Sequence, residues 1–276
     1  MAAGAINALA GGGTLVSFPT LVGLGVPAVN ANVTNTVALV PGYLGGSWAQ
    51  RDDLVPQLDH ARSLAAVSAA GGLAGSVLLV VIPGHVFRSA VPYLILLSCV
   101  LLLAQDQVRG WISRDRDRDP SGIDAAAVPD HDPPGVDAGA DAGAIAPEVP
   151  TSTRFKSSGG MRAALMISVF LAAVYGGFFG AGLGIMLLAV LALFTPGRLT
   201  ATNALKQALS FVINLVAAVL FAFSGHVVWE LVPIMAAASV TGGLIGGRFV
   251  TAVSEVWLRR VVVSTGVAVA LLFWVS

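Results

Sequence analysis

Five polar side chains interrupt one apolar stretch of this chain: Asn203, Lys206, Gln207, Ser210 and Asn214. Spacings of three and four place them on one face of a helix. An ammonium group, amides and a hydroxyl on one face suit a small oxyanion. The lysine supplies charge and the others donate hydrogen bonds. A charged residue inside a span is costly and by default marks a functional site. The competing reading is that Lys206, about 10 Å along the helix from Leu199, snorkels to the interface. The amides would then only join neighbouring helices.

Two glycine-rich breaks point to further donors. The first reads Gly11, Gly12, Gly13, Thr14; the second occupies 176–184 and includes Gly180, Gly182 and Gly184. Lipid cannot hydrogen-bond freed backbone groups. Irregular backbone at membrane depth therefore survives only where protein covers it or it lines a wet cavity. A half-helix starting after each break presents N–H groups and a positive dipole end. The candidate donors are Gly12, Gly13 and Thr14 in the first half and the backbone of Gly182 and Gly184 in the second. Thr34, Asn35 and Thr36 form a counterpart to Thr202 and Asn203. The position matching Lys206 is Ala38, so the site is expected to be asymmetric. The 180–184 glycines lack both the GxGxxG spacing and the following acidic residue of a dinucleotide fingerprint.

The elements that must hold these residues are membrane spans. The chain has 276 residues, 56% hydrophobic and 11% charged, with mean hydropathy +0.83. Soluble domains carry roughly 25% charged residues. Stretches of about 20 apolar residues fall near 1–24, 28–49, 61–83, 87–105, 162–195, 199–224, 228–251 and 256–275. The expected fold is an all-α integral membrane protein with about eight transmembrane helices. They form two four-span repeats, residues 1–105 and 161–276, each with a Gly-broken first segment. The 34 residues of 162–195 are too long for one ordinary crossing and 185–195 too short to cross alone, so a half-helix should follow the break. Internal matches support the duplication: Gly71, Gly72 and Gly75 correspond to Gly242, Gly243 and Gly246. The repeats are parallel if every segment crosses, and inverted if the broken segment is re-entrant. The glycine pairs 71/75, 242/246 and 243/247 read as small-xxx-small packing sites. The N-terminal half-helix looks short beside its counterpart, which raises the question of the start site.

Between the repeats, residues 106–160 read as a disordered polar linker. The stretch 105–162 holds seven of the fifteen Lys/Arg and ten of the fifteen Asp/Glu, and 120–150 lacks apolar anchors. The positive-inside rule then places this insert and both termini in the cytoplasm. Five tryptophans at or near span ends read as interfacial anchors. Cys99 is the single cysteine, which excludes an intramolecular disulfide. The four histidines lie in loops or at segment ends, and no carboxylate pair, HExxH or GxSxG lies within a span. No metal site, cofactor or enzymatic activity is expected. A net charge of zero offers no footprint for nucleic acid; the expected partners are a small anion and the lipid bilayer.

At this point the residues resemble a known family. Ile6 to Gly13, Pro19 and Ala31 to Asn35, with 180–184, Thr202, Asn203 and Gly225 to Trp229 in the second half, are similar to the TauE/SafE sulfite-exporter-like permeases. The resemblance covers both halves and omits the central insert. It implies a bacterial inner-membrane permease of about eight spans that moves small anions such as sulfite or organosulfonates. Transport would use a cavity between the repeats. An anion channel and a non-transporting membrane scaffold acting through the insert are the alternatives.

Overall fold

The computed structural model describes residues 13–118, 159–194, 199–249, 263–264, 266–271 and 273–274. Gly11, Gly12, most of the insert, Arg198 and most of the last expected span lie outside the described residues. Every regular element among them is helical: α1 (Thr14–Gly23), α2 (Ala28–Ala49), α3 (Leu58–Val81), α4 (Gly84–Arg118), α5 (Gly159–Phe178), α6 (Leu183–Phe194), α7 (Leu199–Ala222) and α8 (Val232–Phe249). A single helical turn at Arg51–Leu54 and a 3-10 turn at Val55–Gln57 join α2 to α3. Proline and glycine set several boundaries. Pro27, with extended ψ of 144°, precedes α2, and Gly225, with φ of +73°, follows α7.

Among the described residues, four stretches are long and apolar enough to cross a membrane: Ala61–Val81, Gly84–Ala104, Gly160–Phe178 and Thr200–Ala222. Helix α2 has the length, 22 residues, but Asn30, Asn32, Thr34, Asn35 and Thr36 dilute its apolar character. Exposed apolar side chains such as Val77 and Val81 on α3, Val100 on α4 and Leu171 on α5 form the surface that lipid would wet. The sequence reading ended the fourth span at residue 105 and began a linker at 106. Instead α4 runs on through Arg118.

Helix directions follow from paired contacts. Beside α3, a Cβ added at Gly71 would lie 2.6 Å from Phe170 O, and one at Gly75 would collide with Val174 O and lie 2.9 Å from Phe178 N. The contacts advance together, so α3 and α5 are parallel. Gln57, just before α3, donates to Ala201 O at 3.2 Å, and a Cβ at Gly72 would lie 3.1 Å from Ile213 O. Helix α7 is therefore parallel to α3 as well. Against α2 the order reverses: Asn203 Nδ2 donates to Gln50 Oε1 at 2.6 Å, and the Gln207 amide abuts Gly46. Helices α2 and α7 are antiparallel.

Since α5 and α7 point the same way, α6 must carry the chain back between them. Gly176 stands level with both Leu183 and Ile213, its added Cβ falling 2.7 Å from Leu183 Cδ2 and 3.1 Å from Ile213 Cγ2. From that level, α7 begins about 21 Å lower, and the 12 residues of α6 return about 18 Å. Helices α5 and α6 thus form an antiparallel hairpin. Its buried filling is Leu165, Val169, Leu183, Leu187, Leu191, Leu205 and Leu209.

Candidate functional site

The second glycine motif resolves into two roles. The break itself is only residues 179–182. Gly180 and Gly182 hold φ of +76° and +75°, a left-handed conformation that glycine adopts without steric cost. Gly176 and Gly177 remain helical, and the expected break residue Gly184 lies inside the first turn of α6. Gly177 packs on the Gly72 carbonyl, so its missing side chain serves close helix approach, the role expected of Gly71 and Gly75.

Protein covers the freed carbonyls of the break. Asn32 Nδ2 donates to Phe178 O at 2.9 Å. Ala181 O accepts from Ser98 Oγ at 2.9 Å and from the Tyr175 hydroxyl at 2.7 Å. Phe179 is then pinned by Phe18 of α1, ring centroids 5.3 Å apart and edge-on, and by Phe87 of α4 at 6.3 Å. Such aromatic pairs add roughly 0.5–1.5 kcal/mol beyond area burial. The hairpin tip is fastened to the first half of the chain. Sequence reasoning did not single out Asn32, Ser98 or Tyr175. Only Asn32 carried a signal, as one more amide beside Thr34 and Asn35.

In the first half, Gly13 is the N-cap of α1 and Thr14 its first residue. Thr14 and Asn35, two of the expected donors, come together. Ser17 Oγ donates to Asn35 Oδ1, and Asn35 Nδ2 donates to Thr14 Oγ1 at 3.2 Å. Thr34 Oγ1 accepts the Val228 N–H at 2.9 Å, and Asn30 Nδ2 donates to His226 O at 2.9 Å. The loop after α7 is thereby docked on the start of α2.

Helix α7 carries the other expected residues. Lys206 and Gln207 are 2% exposed, Ser210 1% and Asn214 4%; Asn203 is partly buried and bonded to Gln50. Asn214 Nδ2 donates to Ser210 O at 2.8 Å. Lys206 is thus deep in the bundle rather than extended along its surface, which disfavours snorkelling. It is the one charged side chain that is buried among those described.

The two groups do not merge. Asn35 lies eleven residues along α2 from Gly46, which meets Gln207. At 1.5 Å per residue that is about 17 Å. Thr14, Thr34 and Asn35 therefore occupy one level of the bundle and Lys206, Gln207 and Asn203 another. Among the described residues no group of His, Cys, Asp or Glu could hold a metal ion.

A buried broken-helix hairpin among apolar helices of membrane length, beside one that buries a lysine and amides, fits a membrane protein of the transporter kind. Comparison with known proteins makes this particular. The family model "Sulfite exporter TauE/SafE" matches residues 1–273, and the chain belongs to that family. It is 24% identical over 275 residues to "Probable membrane transporter protein ORF9" of Sinorhizobium sp, covering 98% of this chain and 87% of that one. It is 25% identical over 259 residues to a "Probable membrane transporter protein" of Haemophilus influenzae, covering 94% and 85%. No solved structure matches.

Proposed function

We propose that this protein is a permease of the bacterial inner membrane that moves small anions such as sulfite or organosulfonates, with Lys206 as the charge that holds them. The observation that carries this reading is the burial of Lys206, 2% exposed, in a membrane-length helix. Its face also presents Asn203, Gln207, Ser210 and Asn214. Burying an ammonium is expensive and has to be offset by partners; an anion bound beside Lys206 adds one of opposite charge. Membership of the transporter family supplies the context, and its description supplies sulfite as the first substrate to try.

The transport cycle we propose is alternating access between two inverted halves, each a re-entrant broken segment followed by three crossing spans. Thr34 and Asn35 of α2 correspond to Thr202 and Asn203 of α7, and these two helices run antiparallel. Helices related by an axis along the membrane normal run in the same direction; those related by an axis in the membrane plane run oppositely. The antiparallel course of α6 against α5 supports the same choice. The loop after α7 and the Phe179 tip, both fastened to first-half helices, are contacts that a rocking motion has to break or carry along.

The test is labelled-sulfite flux in proteoliposomes, wild type against Lys206→Ala. Saturable flux that collapses in the variant is the expected result. Equal flux in both would remove Lys206 from the mechanism, and non-saturable flux would favour a channel. No flux in either would withdraw sulfite and call for other organic anions.

A further inference from the structure

Among the described residues, five buried side-chain polar atoms have no hydrogen-bond partner, and three of them are serine hydroxyls: Ser47 on α2, Ser68 on α3 and Ser210 on α7. Ser68 is 0% and Ser210 1% exposed. Other helical serines among the described residues do have acceptors. Ser76 Oγ bonds Leu73 O at 2.9 Å and Ser89 Oγ bonds His85 O at 3.0 Å, both on their own helix, while Ser98 Oγ has both Leu94 O and Ala181 O within reach. That local bond is the ordinary escape for a hydroxyl in an apolar helix. The three exceptions forgo it.

The helix registers bring the three within about one helical turn of one another. On α2, Gln50 meets Asn203 and Gly46 meets Gln207, so Ser47 stands opposite Lys206. On α3, Gln57 meets Ala201 and Gly72 meets Ile213, which sets Ser68 opposite Ser210. Ser210 is one helical turn from Lys206. Each serine also shares a face with a residue at the contact. Ser47 and Gln50 are three apart, Ser68 and Gly72 four, Ser210 and Ile213 three. Three helices thus bring unspent hydroxyls within about one helical turn of the level of the buried ammonium.

We propose that Ser47, Ser68 and Ser210 are the oxygen-recognising donors of the Lys206 site, and that its ligand is an anion whose charged head carries three oxygens, as in sulfite or a sulfonate. The proposal rests on the anion reading of Lys206 and adds to it two residues from other helices and a geometry. Donors on three helices match a pyramidal three-oxygen head one to one. A carboxylate, with two oxygens, leaves one hydroxyl unspent, and a halide offers no oxygen. A hydroxyl kept for a ligand burdens the empty protein, because an unpaired buried polar group destabilises the fold. Removing it should therefore harm binding and spare folding, the reverse of what a structural hydroxyl does.

The experiment is thermal unfolding of the purified full chain in detergent, titrated with sulfite, methanesulfonate, acetate and chloride. Sulfite and methanesulfonate should raise the midpoint, and acetate and chloride should need at least tenfold higher concentrations, on the order of one lost charge-assisted hydrogen bond. Ser47→Ala and Ser68→Ala should each weaken the apparent Kd for sulfite about tenfold, while the ligand-free midpoint stays level or rises. Variants that titrate like wild type, a wild type that no anion stabilises, or a fall in the ligand-free midpoint would each overturn the proposal. Flux separates the two readings. Serine-dependent binding without transport would sink the permease reading and keep the cradle. Lys206-dependent transport indifferent to both serines would do the opposite.

Discussion

At the α1–α2 end of the bundle, Ser17 donates to Asn35 and Asn35 donates to Thr14, so the amide spends both its ends on neighbours. About 17 Å away, where α2, α3 and α7 meet, Ser47, Ser68 and Ser210 leave their hydroxyls unspent around the level of Lys206. Both regions bury polar side chains in apolar surroundings, and sequence alone marks both. The difference lies in donors: near the first region Asn32 Oδ1 and His226 Nδ1 are unpartnered, but the Thr14, Ser17 and Asn35 side chains are bonded to one another. A polar cluster whose donors are spent internally stabilises one arrangement of helices and offers little to an anion. A cluster with unused donors loses stability when empty and recovers it when occupied. On the proposed duplication, related sequence gives one fastening region and one proposed binding region, and the buried Lys206 falls in the second.

The sharpest way to break this comparison is at Lys206. Lys206→Ala should lower sulfite flux in proteoliposomes by about 100-fold or more, the scale expected when one partner of a buried charge pair is lost. The unfolding midpoint should hold or rise. A variant that unfolds instead, with normal flux per folded molecule, would make Lys206 a fastening residue and erase the contrast. Helix packing sets the next largest effect. Gly75→Val would drive a side chain into the Val174 carbonyl, and backbone cannot yield as a flexible side chain can. A loss on the order of 3 kcal/mol is expected, at the upper end for overpacking, read as reduced yield and a lower unfolding midpoint.

Asn35→Ala tests the closed region directly. It removes the donor to Thr14 Oγ1 and leaves Ser17 Oγ only the Gly13 carbonyl at 3.0 Å, at a cost of roughly 1–3 kcal/mol in stability. Flux per folded molecule should keep the wild-type KM. A raised KM with unchanged stability would mean that the first region also meets the substrate, and the two regions would be one site.

How much of this was legible beforehand follows from what each residue interacts with. The spans could be read because their apolar length is a property of the segment alone. The second break was legible too, since glycines at two left-handed positions have no other economical use. The α7 face was visible because 203, 206, 207, 210 and 214 repeat with helical spacing. The distance between Asn35 and Lys206 was not, because it depends on the antiparallel register of α2 and α7, which no local pattern encodes. Ser47 and Ser68 gave no signal for a related reason. A serine in an apolar helix is ordinarily bonded to its own backbone, and only the packed structure shows which serines are not. Continuation of α4 to Arg118 was missed because the boundary was placed where the apolar run ends, at residue 105, and a helix can run on past its apolar stretch.

The finest test separates backbone strain from site chemistry at the hairpin tip. A Cβ on Gly182 would meet Ser98 at 3.5 Å, which is ordinary contact, so space does not forbid alanine there. The φ of +75° does: a left-handed backbone costs an L-residue roughly 1–2 kcal/mol. Gly182→Ala should therefore lower stability by about that amount. Its flux tells which region the tip belongs to. If the tip only fastens α5 to α6, through Ala181 O on Ser98 and Tyr175, the flux per folded molecule stays near wild type. If the N–H groups at the start of α6 meet the anion, as the sequence reading expected for Gly182 and Gly184, the small tilt that relieves the strain moves those donors. KM then rises several-fold while the stability loss stays the same. Measuring both quantities on one variant thus decides whether the broken helix belongs with the closed cluster or with the open one.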